Sequence, residues 1–155
     1  MSLASVRAHL ATFGRDRDVI VPEVSSATVE LAAAALGVEP ARIAKTIALR
    51  TEDPETCVLV VAAGDARIDN VAYKATFGRK AQMVRAEDVE RLTGHPVGGV
   101  CPFANPPGTA VHLDESLRRF ATVFPACGTP SSAIELTPDE IETVSGAVGW
   151  VAVTR

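Results

Sequence analysis

Arg42-Ile43-Ala44-Lys45-Thr46-Ile47-Ala48-Leu49, followed after a polar break by Cys57-Val58-Leu59-Val60-Val61-Ala62-Ala63, is the stretch on which the fold turns. Both runs are short and rich in β-branched and apolar residues, and the Arg50 to Thr56 break between them contains Pro54. That pattern predicts an antiparallel hairpin with a longer connection. Within the first run, Ile43, Lys45, Ile47 and Leu49 share one strand face, because side chains alternate with a period of two. A single ammonium group is thus placed among three large aliphatic side chains.

The rest of the chain mixes helices and strands irregularly. Upstream, Ser2 to about Phe13 reads as a short amphipathic helix ending near Gly14, and Val19-Ile20-Val21 is an apolar run closed by Pro22. A second helix follows, capped by Ser25 or Ser26 and ended by Gly37. Downstream, Asp69 caps a helix through Phe77, Ala81 to Val84 reads as a brief strand, and Ala86 to Leu92 as a helix. Strands are expected at Ala110 to Leu113, Ala121 to Phe124, Ala133 to Leu136 and Val148 to Val153, with a helical turn opened by Asp114. Thr137-Pro138-Asp139-Glu140 has the form of a capping box with proline at the first helical position. Without the steady alternation of a doubly wound sheet, the expected class is α+β: a mixed, curved, barrel-like sheet packed by helices.

Composition bounds the function. A chain of 155 residues that is 47% hydrophobic and 22% charged can bury a core as one domain, residues 1–155, without disulfide or metal support. No apolar run approaches the roughly 20 residues of a membrane span, and the N-terminal segment lacks a signal-peptide core. A cytoplasmic protein, monomeric and without membrane contact, is expected. Cys57, Cys101 and Cys127 show no CxxC spacing, and the histidines no metal-ligand spacing, so neither disulfide, metal nor cofactor is expected. The net charge of −4 excludes a broadly basic nucleic-acid coat. RNA contact would have to be local, at clusters such as Arg15/Arg17, Arg79/Lys80/Arg85 or Arg118/Arg119, each of which also reads as ordinary solvated charge.

Two features carry chemistry. Lys45 is either an edge-strand lysine guarding against sheet-to-sheet pairing or a cation placed to bind a carbonyl or phosphate oxygen. Thr93-Gly94-His95-Pro96-Val97-Gly98-Gly99-Val100-Cys101-Pro102-Phe103 lies in a long Gly/Pro-rich loop. Its adjacent glycines form either a plain turn or a backbone N–H cradle for an anion. Cys101 near His95 or His112 raises a thiol nucleophile, against the alternative of a small apolar side chain inside a tight loop. Thr46, Asp114 and Cys127-Gly128 have ordinary roles available as strand residue, helix cap and turn.

In order along the chain, Ile43-Ala44-Lys45-Thr46-Ile47, Val60 to Asp65 with Ile68-Asp69, Ala86-Glu87-Asp88-Val89 leading into the Thr93 to Phe103 loop, Leu113 to Leu117, Ala126-Cys127-Gly128 and Ile134 to Pro138 resemble the YbaK/prolyl-tRNA synthetase-associated editing-domain family. The resemblance implies a freestanding deacylase that hydrolyses a mischarged small amino acid from tRNA, often the proline tRNA. Its partner is the 3′-terminal adenosine of aminoacyl-tRNA, with an aminoacyl-tRNA synthetase as a further candidate, and it uses no cofactor. It implies Lys45 and Gly99 as catalytic residues and Thr46, Gly98, Val100, Cys101, Pro102 and Gly128 as substrate-binding ones. Relatives commonly carry serine before the loop proline where this chain has Cys101. The alternatives are a non-catalytic aminoacyl-tRNA or nucleotide-binding module of the same fold and a Cys101-dependent hydrolase.

Overall fold

A computed structural model describes residues 2–22 and 28–155. The hairpin is present: β1 (Ile43–Arg50) pairs antiparallel with β2 (Cys57–Ala63), from Ala44 opposite Ala63 to Arg50 opposite Cys57. β3 (Ala110–Asp114) lies parallel to β2, β4 (Phe124–Pro125) parallel to β1, and β5 (Gly149–Val151) parallel to β3. The sheet is therefore mixed, in the order β4-β1-β2-β3-β5. It is open where a barrel-like sheet was expected, since no ladder joins its edge strands β4 and β5 among the described residues.

Every residue of β2 is buried, and the cause is its central position. Leu59 and Val61 join the main core with Val6 and Leu10 of α1 (Ser2–Ala11), Leu92 of α4 (Ala86–Thr93) and Ile141 of α5 (Pro138–Ser145). Val58 and Val60 face the other way, against Tyr73 and Phe77 of α3 (Asn70–Phe77). A strand covered on both faces shows a continuous apolar run in place of alternation. Each large side chain so buried contributes about 1.5–3 kcal/mol.

The helix ends follow their capping signals. Asp69 accepts from Val71 N–H and Ala72 N–H at the start of α3, and the Thr137–Glu140 capping box opens α5. α2 (Val29–Leu36) is capped by Thr28, whose hydroxyl accepts from Leu31 N–H at 3.1 Å, and ends at Gly37. The expected caps Ser25 and Ser26 lie outside the described residues. The expected outer strands are reduced. Ala81 to Val84 contributes one bridge, Met83 to Leu49, and Ala133 to Leu136 only isolated bridges at its two ends. β4 ends at Pro125, which has no N–H to continue a ladder. β5 stops short of Val153 because Val153 N–H is donated to the Asp114 carboxylate.

Candidate functional site

The site grows from an uncovered piece of the β1 edge. β4 pairs only with Ile43 and Ala44, while further along Val84 N–H donates to Ala48 O and Arg50 N–H to Gln82 O. Residues alternate in the direction of their backbone groups along an antiparallel strand. Thr46 therefore turns its N–H and C=O outward with those of Ala48 and Arg50, into the gap between the two covering segments. A cavity of about 200 Å³ opens at this gap. Lys45 and Thr46 form its floor, Val29, Ala32 and Leu36 of α2 one wall, Gly98 and Val100 another, and Thr129 and Ser132 contribute hydroxyls.

Lys45 is half-buried, on the same sheet face as Ile47 and Leu49. Its Nζ donates to Gly64 O at 3.2 Å and to Ala66 O. An ammonium has three donors, so one remains for a ligand oxygen. The two carbonyls explain how a charge is held here: they replace part of its lost hydration. Burial still pulls the Lys45 pKa below the ordinary lysine value, with Asp65 acting in the opposite sense. Asp65 is itself ion-paired to Arg119 at 2.5 Å, both groups about half exposed. The Thr46 hydroxyl is buried and has no hydrogen-bond partner among the described residues.

The glycine loop divides its work. Gly98, at φ +90°, lines the cavity in a conformation that L side chains rarely adopt. Gly99 serves close packing instead: a Cβ there would stand 2.7 Å from the backbone of Gly128 and Thr129. Its N–H is donated to Pro96 O at 2.9 Å and is not offered to the cavity, unlike the catalytic donor the sequence suggested. Gly128 continues the stack, since a Cβ on it would lie 2.7 Å from Ser2 Oγ. The N-terminal helix thus presses on the back of the site.

His95 is the hub of this buttress. Its Nε2 lies 2.7 Å from Phe103 O and its Nδ1 2.5 Å from Ser2 Oγ. A carbonyl oxygen only accepts, so Nε2 carries the proton and Nδ1 accepts from Ser2. Thr93 and Asn105 tie down the same loop, the Asn105 amide donating to Thr93 O and Cys101 O. Asp114, also buried, accepts from Ser116 N–H, Val153 N–H and Thr154 Oγ1, a structural cap and strap rather than a reacting acid.

The thiol-nucleophile reading fails on this geometry. Cys101 Sγ is 3.4 Å from His95 Nε2, yet that nitrogen bears its proton toward Phe103 O and has no lone pair to take another. Cys101 and His95 are both fully buried, and burial pushes the Cys101 thiol far up. Burial likewise raises Cys57 to about 11 and Cys127 to about 12. His112 is elsewhere, edge-on to Phe77 at 4.9 Å.

Of the residues proposed from sequence, Lys45, Thr46, Gly98 and Val100 meet at one cavity. Gly99, Gly128, Cys101 and Pro102 form the packed layer behind it. Sequence reasoning missed the α2 wall, Phe124 and Ala126 of the β4 segment, and the Thr129–Ser132 pair, in which Thr129 Oγ1 donates to Ser132 Oγ at 2.7 Å. The last had a signal: a polar Thr129-Pro130-Ser131-Ser132 run directly after Cys127-Gly128. Among the described residues, no carboxylate, imidazole or thiol lines the cavity, and no cluster of side chains suits a metal ion. The described residues offer one cation, backbone groups and hydroxyls in an apolar recess.

Comparison with known proteins gives a consistent result. The aminoacyl-tRNA editing domain profile matches residues 23–144. An uncharacterized protein of Bacillus subtilis (strain 168), YwhH, is 50% identical over 155 residues, covering 100% of this chain and 98% of its own. A crystal structure described as "a putative trans-editing enzyme for prolyl tRNA synthetase" superposes with a TM-score of 0.87 at 28% identity, covering 99% of this chain and 97% of the other. A crystal structure of a hypothetical protein, 30% identical, superposes with a TM-score of 0.81 over 95% of this chain and 99% of its own.

Proposed function

This chain belongs to the aminoacyl-tRNA editing domain family, and from that premise we propose that it is a freestanding deacylase, cleaving the ester of a mischarged small amino acid on tRNA, the proline tRNA or a related one. The observation that carries the reading is the single recess holding Lys45, Thr46, Gly98 and Val100. Its roughly 200 Å³ lies below the range of about 300–1,000 Å³ that accommodates drug-sized ligands. It suits an aminoacyl moiety and leaves the adenosine at the rim.

Ester hydrolysis needs an attacking water and a stabilised oxyanion. Lys45 supplies the second through its remaining donor, and one well-placed donor of this kind contributes about 2.7–4 kcal/mol. Among the described residues the cavity supplies no protein base. Water activation is assigned in this reading to the substrate, through the free ribose hydroxyl of the terminal adenosine. Selection is by size in the small recess, where one methylene distinguishes substrates by about 1–3 kcal/mol.

The test of this mechanism is a pair of alanyl-tRNA substrates that differ only in that hydroxyl, assayed for amino-acid release with enzyme in excess. Release from the ribose substrate with loss from the deoxyribose one is expected. Equal release from both would mean that another group activates the water.

A further inference from the structure

The sixteen residues from Asn70 to Arg85 carry four basic residues, Lys74, Arg79, Lys80 and Arg85, and no aspartate or glutamate. Elsewhere Arg15, Arg42, Arg91, Arg118 and Arg119 each meet a carboxylate. Lys74, Arg79, Lys80 and Arg85, with neighbouring Arg50, have no ion pair among the described residues. Lys74, Lys80 and Arg85 are exposed. In a chain of net charge −4, such a cluster of exposed, unpaired positive charge is a local attraction point for an anion.

The position of this segment ties it to the site. α3 packs through Tyr73 and Phe77 on Ile47 and Leu49, the sheet face that also carries Lys45. The chain then runs onto the outward edge of β1, where Val84 bonds Ala48 and Gln82 bonds Arg50. Ala48 is two residues from Thr46, roughly 7 Å along the strand at about 3.4 Å per residue. The segment that carries these basic residues therefore borders the same strand edge as the cavity.

We propose that the Asn70–Arg85 face is the RNA-backbone contact of this protein, holding the phosphates of the acceptor arm while the aminoacyl end occupies the recess. The identity of the RNA rests on the deacylase reading; the surface itself does not. Lysines and arginines at such a surface act by releasing condensed counterions, so affinity falls with salt in proportion to the number of phosphates met.

The experiment measures binding of uncharged tRNA over a salt series for the full chain and for the Lys74→Ala/Lys80→Ala/Arg85→Ala variant, with Arg17→Ala as a control on another surface. Each lost phosphate contact lowers the log–log salt slope by about 0.7–0.9. The triple variant is expected to lose about two units of slope and roughly tenfold or more in affinity at low salt, while Arg17→Ala matches the parent. Because uncharged tRNA is used, the outcome does not depend on deacylation. A triple variant that retains the parent slope and affinity, or an Arg17→Ala variant that loses as much, would overturn the proposal. A circular-dichroism melt of each variant separates lost contact from lost fold.

Discussion

Gly99→Ala isolates the packing task that the structure gives this residue. An added Cβ would sit 2.7 Å from Gly128 C, Gly128 O and Thr129 N, all backbone atoms. Ordinary contact begins near 3.4 Å, so the loop must separate from the Cys127–Thr129 segment by about 0.7 Å. Overpacking of this kind costs about 1–3 kcal/mol. For a chain of this size each kcal/mol corresponds to about 2–4 °C in Tm, giving a fall of roughly 2–12 °C. The displaced segments carry Val100 and Thr129, which both line the cavity, so the recess should widen and discrimination against larger aminoacyl groups should relax. Differential scanning calorimetry and single-turnover release measure the two effects. Gly149→Ala, where a Cβ meets nothing within 4 Å, is the control and should melt within about 2 °C of the parent, since surface changes of this type stay within about 0.5 kcal/mol. A Gly99→Ala protein with the parent Tm and the parent discrimination would refute the close-packed stack.

Cys101→Ala should retain turnover and lose about 1–2 kcal/mol of stability from the small void it leaves, and the native thiols should resist alkylation until the protein unfolds. Inactivation of a folded Cys101→Ala protein would restore the nucleophile reading. His95→Ala strands Phe103 O and Ser2 Oγ and should cost about 1–3 kcal/mol or more, read as a lowered denaturation midpoint with faster amide exchange across the 94–105 loop. The His95 pKa is lowered by burial, so the unfolded chain binds the proton more readily; stability is full above the unfolded value near 6.5 and declines as pH falls through and below it. His112 is lowered by the same cause and adds to this slope. Tm measured between pH 7.5 and 5 should therefore fall, and His95→Gln should flatten the decline; an unchanged slope would contradict the buried neutral imidazole.

The hairpin and most helices were legible because their signals are local. Thr137 with Glu140, Asp69, Gly37 and Gly78 each satisfy backbone groups within a few residues of themselves. The short outer strands were not, because what truncates them comes from afar: the Asp114 carboxylate takes Val153 N–H, and Met83 meets β1 at a single bridge. At the site, the odd charge in β1 marked Lys45, and the glycine pair marked the loop. Which glycine faces the cavity depends on Gly128 lying against Gly99 and on Ser2 lying against Gly128, contacts between segments distant in sequence. The α2 wall carried no chemical signal, being built from alanine, valine and leucine.

The central claim is tested most directly by amino-acid release, in single turnover, from tRNA species charged with alanine, cysteine, serine, threonine and proline, comparing the protein with Lys45→Ala. The account predicts release from one or two of the smaller noncognate species, none from prolyl-tRNA, and a fall of about 10²-fold or more in the variant, as for loss of one oxyanion donor. No release from any species with tRNA binding intact would contradict it, leaving a domain that captures aminoacyl-tRNA without cleaving it.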